Sequence, residues 1–196
     1  MSDRFVLTEF LELSNDSSLL TEQERKEMNE SGEYILAGVM QRADAENGNG
    51  RIYPLDILER EVENYKKLVR DSRALGELDH PDSPIVELKN ASHIVTFIEM
   101  RGKDVLGKIK ILDTPAGRTA KELLRGGVKL GISSRGLGST RQQSGKTVVQ
   151  EDFQLVCFDL VSEPSTTGAF MLKEGMQPNV FTKADRINRI LNSIIK

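Results

Sequence analysis

The chain has 196 residues, a formal net charge of −3, 38% apolar and 29% charged side chains. That length fits one domain whose core can stand without staples, and the interspersed charges form no basic stripe, which argues against a nucleic-acid partner. No stretch approaches the ~20 apolar residues of a membrane span, no basic region followed by an apolar run opens the chain, and the one cysteine, Cys157, sits in an apolar run, as expected of a packing thiol in a soluble intracellular protein.

Taken in chain order, Phe5, Val6, Leu7, Phe10, Leu11 and Leu13 make an apolar cluster that can dock as an arm. The acidic run after it, to Glu30, reads as linker or loose helix and not as core. Residues 34–40 predict a strand, and Asn47-Gly48-Asn49-Gly50 predicts a turn. Leu55, Leu58, Val62, Tyr65 and Val69 recur every three or four residues behind Pro54, so 54–70 is an amphipathic helix. A short strand, 74–78, runs into His80 and is stopped by Pro81 and Pro84. Strands 92–100 and 105–112 form a hairpin about Arg101-Gly102-Lys103-Asp104. Pro115 opens a second helix that Gly126-Gly127 ends. Then come a strand over 128–134, a glycine- and serine-rich loop over 136–145 and one long strand over 148–161. Ile187, Ile190, Leu191, Ile194 and Ile195 pattern a small C-terminal helix. Strands and helices joined by short connections predict an α+β fold, a mostly antiparallel sheet or barrel with helices outside.

The chemistry-bearing residues are few. The chain has only two histidines, His80 and His93. His80 lies in Gly76-Glu77-Leu78-Asp79-His80-Pro81, and a serine pair lies in Leu130-Gly131-Ile132-Ser133-Ser134-Arg135-Gly136-Leu137-Gly138. A histidine base and a hydroxyl nucleophile are the minimum of an acyl-transfer site; the plain alternatives are a polar loop histidine and a strand end. Ser133 and Ser134 face opposite ways on a strand, so only one can join a shared site. The backbone at Arg135-Gly136 is a candidate oxyanion donor.

Asp159 alternates with Phe153, Leu155, Cys157 and Val161 by period two. A charge in so apolar a strand needs a partner: His80, Arg135 or backbone amides. On a strand Glu77 and Asp79 would share one face and His80 the other, so the partner of His80 is expected from elsewhere. His93 reads as a packing residue. No ligand set for a metal is recognisable, no cofactor is called for, and Asn47–Gly50 lacks the lysine of a phosphate loop.

On these islands, with Asn49-Gly50-Arg51-Ile52-Tyr53-Pro54 and Asp159-Leu160-Val161-Ser162-Glu163-Pro164-Ser165, residues 33–170 resemble the prohead maturation proteases of large contractile-tailed phages. The resemblance implies an assemblin-like fold, a closed β-barrel with surrounding helices. It implies a serine endopeptidase inside the immature capsid in the host cytoplasm, acting on scaffold and major capsid protein precursors and on itself. His80 matches the family base and Ser133 the nucleophile. Asp159 is the choice for third member, with Glu77 behind it, because the second histidine that herpesvirus relatives carry after the serine has no counterpart here.

The resemblance also implies cleavage after glutamate with leucine or isoleucine two residues earlier, a pattern present at Leu7-Thr8-Glu9, Leu20-Thr21-Glu22, Leu172-Lys173-Glu174 and Ile57-Leu58-Glu59. Arg51, Arg135 and Arg141 are candidates to receive that glutamate. The division expected is an N-terminal arm or propeptide (1–32), a protease domain (33–170) and a tail (171–196) removed on maturation. Self-association is a further expectation. The alternative is a non-catalytic scaffold or core component that keeps a protease-like fold.

Overall fold

The computed structural model of the chain describes residues 5–11, 19–81, 83–162 and 170–171. Among these, β1 (Phe5–Leu11) and α1 (Glu22–Ser31) precede β2 (Ile35–Arg42), β3 (Arg51–Ile52), α2 (Leu55–Arg70) and β4 (Leu75–Glu77). Then follow β5 (Ala91–Arg101), β6 (Asp104–Ile111), α3 (Pro115–Arg125), β7 (Leu130–Gly138), β8 (Thr140–Gln143), β9 (Lys146–Val149), β10 (Gln154–Val161) and β11 (Phe170–Met171).

Both long helices begin where the sequence places them. Pro54 precedes α2, and Ile57, Leu58, Val62 and Tyr65 turn inward onto β5 and β10. The Tyr65 ring meets Phe158 edge-on at 5.6 Å. Each such side chain stabilises the fold by about 1.5–3 kcal/mol. Thr114 caps α3 by accepting from the Gly117 N–H at 3.0 Å, which satisfies one of the donors a helix start leaves open.

The strands form three sheets. One orders β1-β7-β10, with β11 also on β7; the second orders β2-β6-β5-β4; the third, β3-β9-β8, carries a parallel β3–β9 pair. The mixed α+β class is as expected, but among the described residues there is no closed barrel. Among the described residues one parallel bridge, Leu78 to Leu160, joins the first two sheets. Strand β4 has only three residues, and the prolines at 81 and 84 deny it the amides for a longer seam.

Two further expectations are corrected. The span 148–161 is not one strand: β9 and β10 are separated by a turn closed by Phe153 N–H to Gln150 O at 3.1 Å. The Asp152 carboxylate fixes that turn by accepting from the Ser139 amide at 3.0 Å and hydroxyl at 2.9 Å. Nor is 136–145 a loop. Strand β7 runs on to Gly138, and β8 and β9 form a hairpin about Ser144-Gly145, with φ of 52° and 80°, the positive pair that suits a tight hairpin turn. Gly136 serves close packing and not looseness, since a Cβ there would lie 2.4 Å from the Phe153 ring.

The N-terminal residues described are ordered into the fold. Strand β1 pairs antiparallel with β7 from Phe5–Gly138 to Leu11–Ile132, and Leu7 lies in the main core. Thr21 and Glu24 form a capping box at the head of α1. The C-terminal helix predicted over 187–195 lies outside the described residues.

Candidate active site

Strand β7 carries the serine pair between two neighbours, β1 and β10. Ser133 stands directly opposite Asp159 of β10, and Arg135 opposite Cys157. Cross-strand partners share a face with Cβ atoms about 5 Å apart, so Ser133, Arg135, Cys157 and Asp159 converge. Ser134 faces away; its Oγ is buried and has no hydrogen-bond partner among the described residues.

The histidine arrives from the other sheet. Strand β4 ends at Glu77, and Asp79 adopts φ 65°, a left-handed conformation that aspartate tolerates. Its N–H donates to Leu160 O at 2.7 Å. This break swings His80 onto the Ser133–Asp159 pair, with Nδ1 2.8 Å from Asp159 Oδ2 and Nε2 hydrogen-bonded to Ser133 Oγ. Strand alternation stops before Asp79 and so does not set the direction of His80; the Glu77 carboxylate turns to Arg135 and the Glu87 N–H, and the partner of His80, the Asp159 carboxylate, comes from β10. With the carboxylate accepting from Nδ1–H, Nε2 is left to accept the serine proton.

Asp159 is fully buried yet satisfied. Besides His80 it accepts from Arg135 Nε (Oδ2, 2.9 Å) and Nη2 (Oδ1, 3.2 Å) and from the Glu77 N–H (Oδ1, 3.0 Å). All three partner types open at the sequence level are therefore present together. Burial alone would raise its pKa, but the His80 hydrogen bond, the Arg135 charge and the Glu77 amide together hold it below the usual carboxylate value. The Cys157 thiol donates to Asp159 Oδ1 at 3.4 Å. Burial first, then the neighbouring carboxylate, pushes that thiol far above its ordinary value, so it is no nucleophile. A bulge between Leu155 and Cys157 resets the alternation of β10, so the predicted common face of Phe153 and Leu155 with Asp159 does not hold.

Arg135 is not available to a substrate glutamate: it is fully buried, and its guanidinium holds Asp159, Glu77 and Ser83 O. Arg51 and Arg141 remain as candidates. The Arg135-Gly136 amides lie in a strand paired on both edges, which directs them to the ladders and not to an oxyanion. Arg135 is thus the partner that the sequence offered Asp159, and period two from Ser133 puts it on the same face. Glu77, the second choice for third member, has its carboxylate on Arg135 and the Glu87 N–H.

His93 packs behind this group. Its Nε2–H donates to Phe158 O at 3.0 Å, and Nδ1 pairs with Ser92 Oγ at 2.8 Å. Burial lowers its pKa to about 4. The folded protein therefore binds fewer protons than the unfolded chain between pH 6.5 and 4. The stability His93 supports is complete above that window and falls through it, by about 3 kcal/mol from pH 7.5 to pH 4. Denaturant unfolding across this range should show that slope, and His93→Gln should flatten it. Asp159, shifted downward, adds its own loss only at lower pH.

Over 180 residues the chain is 31% identical to the prohead core protein protease of Enterobacteria phage T4, covering 89% of this chain and 84% of that protein. Its fold matches the solved structure of the bacteriophage T4 capsid assembly protease with a TM-score of 0.69 at 26% identity, over 83% of this chain and 99% of that one. Residues 12–182 match the family described as prohead core protein serine protease, and the chain belongs to that protease family.

Proposed function

We propose that this protease is a serine endopeptidase in which His80 takes the Ser133 proton and the Ser133 oxygen attacks the scissile carbonyl. The acyl group passes to Ser133, the leaving amine takes the proton from His80, and water then releases the acyl group by the reverse relay. Asp159 holds the imidazole in the required tautomer. The observation that carries this reading is the single line of hydrogen bonds from Ser133 Oγ through both nitrogens of His80 to a buried Asp159. A non-catalytic scaffold has no use for so costly a buried arrangement.

In this reading the substrates are scaffold and capsid protein precursors inside the prohead. Support comes from the family, described as prohead core protein serine protease, and from the T4 matches, named a prohead core protein protease and a capsid assembly protease. The cut falls after glutamate in (Leu/Ile)-x-Glu. The same site trims the chain itself, and the barrel-like kinship with assemblin proteases belongs to the same proposal. Of the candidate self-cleavage sites, Leu7-Thr8-Glu9 lies in β1, Leu20-Thr21-Glu22 holds the cap of α1, and Ile57-Leu58-Glu59 lies in α2. A peptidase needs an extended, accessible segment, so pairing in β1 and the turns of α1 and α2 protect these three while the chain is folded; Leu172-Lys173-Glu174 lies outside the described residues, and loss of the tail 171–196 or of the arm 1–32 stays part of the proposal. Ser133 is fully buried, which suits a precursor whose site opens on processing.

The test combines two readouts. Purified protein incubated with scaffold should generate new C-termini at glutamate, found by mass spectrometry. A fluorophosphonate added once those termini have appeared should modify Ser133 and stop further cutting. Cleavage that continues with Ser133 unmodified, or a label on another residue, removes the serine-peptidase reading.

A further inference from the structure

Glu77 takes no part in the relay above, yet it is fully buried beside it. A buried carboxylate is costly unless it is paired and hydrogen-bonded. Here Oε2 pairs with Arg135 Nη2, and Oε1 accepts from the Glu87 N–H at 3.0 Å. The Glu77 backbone N–H in turn donates to Asp159. Arg135 spans the two carboxylates and reaches Ser83 O through Nη1. Glu77 and Arg135 thus tie Ser83 and Glu87, in the loop that follows His80, to the same buried ion pair as Asp159.

The charge count gives this pair a purpose. When His80 takes the Ser133 proton it becomes an imidazolium that needs a negative neighbour. Asp159 alone would supply one, but Arg135 binds both of its oxygens, and an Asp–Arg pair is neutral. Glu77 restores one net negative charge to the buried group. The other groups around His80 do not alter the balance: Cys157 is a thiol, His93 is neutral, Ser92 and Ser133 carry no charge, Asp79 lies toward the surface, and Glu87 and Lys89 pair with each other on the outside at 2.8 Å.

We propose that Glu77, acting through Arg135, is a positioning residue that keeps the Asp159–Arg135 pair net negative, so that His80 holds the proton it receives from Ser133. The proposal rests on the serine-peptidase reading. It concerns no contact with substrate, so it acts on turnover and not on binding.

The experiment is Glu77→Gln, which keeps the shape and removes the charge. Its rate of scaffold cleavage is followed against pH, beside the parent chain and Glu77→Gln/Arg135→Gln, in which the net charge returns to −1. In Glu77→Gln the acid limb of the profile should move down by about one pH unit, and kcat should fall about tenfold with KM unchanged. The double variant should bring the limb back.

The chain has only two histidines, so the ring resonances can be followed individually in a Ser133→Ala background without any turnover. His80 should respond to pH over a range displaced downward by Glu77→Gln, while unaltered His93 signals report an intact fold. A folded Glu77→Gln protein with an unmoved limb and unmoved His80 response overturns the proposal, as does a loss of rate with no shift. Cleavage that survives Ser133→Ala sinks the peptidase reading instead, and the ring titration still judges the charge argument on its own.

Discussion

Ser133→Ala should lower scaffold cleavage on the order of 10⁶-fold, to the background left by binding alone. Among the described residues Ser133 Oγ is the hydroxyl bonded to His80, and no neighbouring group can replace it. The adjacent hydroxyl of Ser134 faces the other side of β7, and Cys157 is an inert thiol bonded to Asp159. The fold should survive, because the lost hydrogen bond involves a histidine side chain that is 15% exposed, and water can serve the ring at a cost of about 1 kcal/mol. Ser134→Ala is the matched control. It removes a buried hydroxyl without a partner among the described residues, so cleavage should be unchanged and stability equal to the parent or up to about 1 kcal/mol higher. Cleavage rates from product termini and denaturant midpoints separate the two variants; if Ser134→Ala were the inactive one, the assignment of the nucleophile would be reversed.

The contrast between the two serines was legible in the sequence, because alternation along a strand is a local rule and β7 obeys it across Ser133, Ser134 and Arg135. The need of Asp159 for a partner was legible for a similar reason: a charge among Cys157, Phe158, Leu160 and Val161 has to be met. The identity of the partner was not, and the structure answers with His80, Arg135 and the Glu77 amide together. Periodicity failed where one residue resets it. The bulge between Leu155 and Cys157 shifts β10 by one position, and the left-handed Asp79 ends the alternation of β4. Both depend on contacts between strands far apart in sequence, as does the division into three sheets where a closed barrel was expected. The sequence offers Glu77 as a reserve third member, but its pairing with Arg135 was hidden for the same reason. Its neighbours in sequence describe a strand end, whereas its burial is decided by Arg135, 58 residues away.

Gly76→Ala should damage stability and activity together. Gly76 pairs with His93 of β5, and a Cβ at this position would lie 2.0 Å from Phe158 O and 2.3 Å from His93 Nε2. Those are the two atoms joined by the His93–Phe158 hydrogen bond, so one methyl group enters the seam where β4, β5 and β10 meet. Neither neighbour is the loose end of a flexible side chain. One is a strand carbonyl and the other a buried ring held at both nitrogens. Overpacking of this kind costs about 1–3 kcal/mol, and a buried carbonyl and ring nitrogen left unpaired add a comparable amount, for a total of about 4 kcal/mol. Asp159 follows Phe158 directly, so relief by moving β10 also pulls the carboxylate from His80. The thermal midpoint and the cleavage rate should therefore fall together, even at temperatures where the variant is folded. Gly126→Ala sets the scale: that Cβ would meet only Glu122 O at 3.4 Å and Leu123 O at 3.5 Å, and the backbone there has φ −73°, so both measurements should stay near the parent. A Gly76→Ala protein as stable and active as Gly126→Ala would mean that β4 does not lie against Phe158, and the placement of His80 over Ser133 would fall with it.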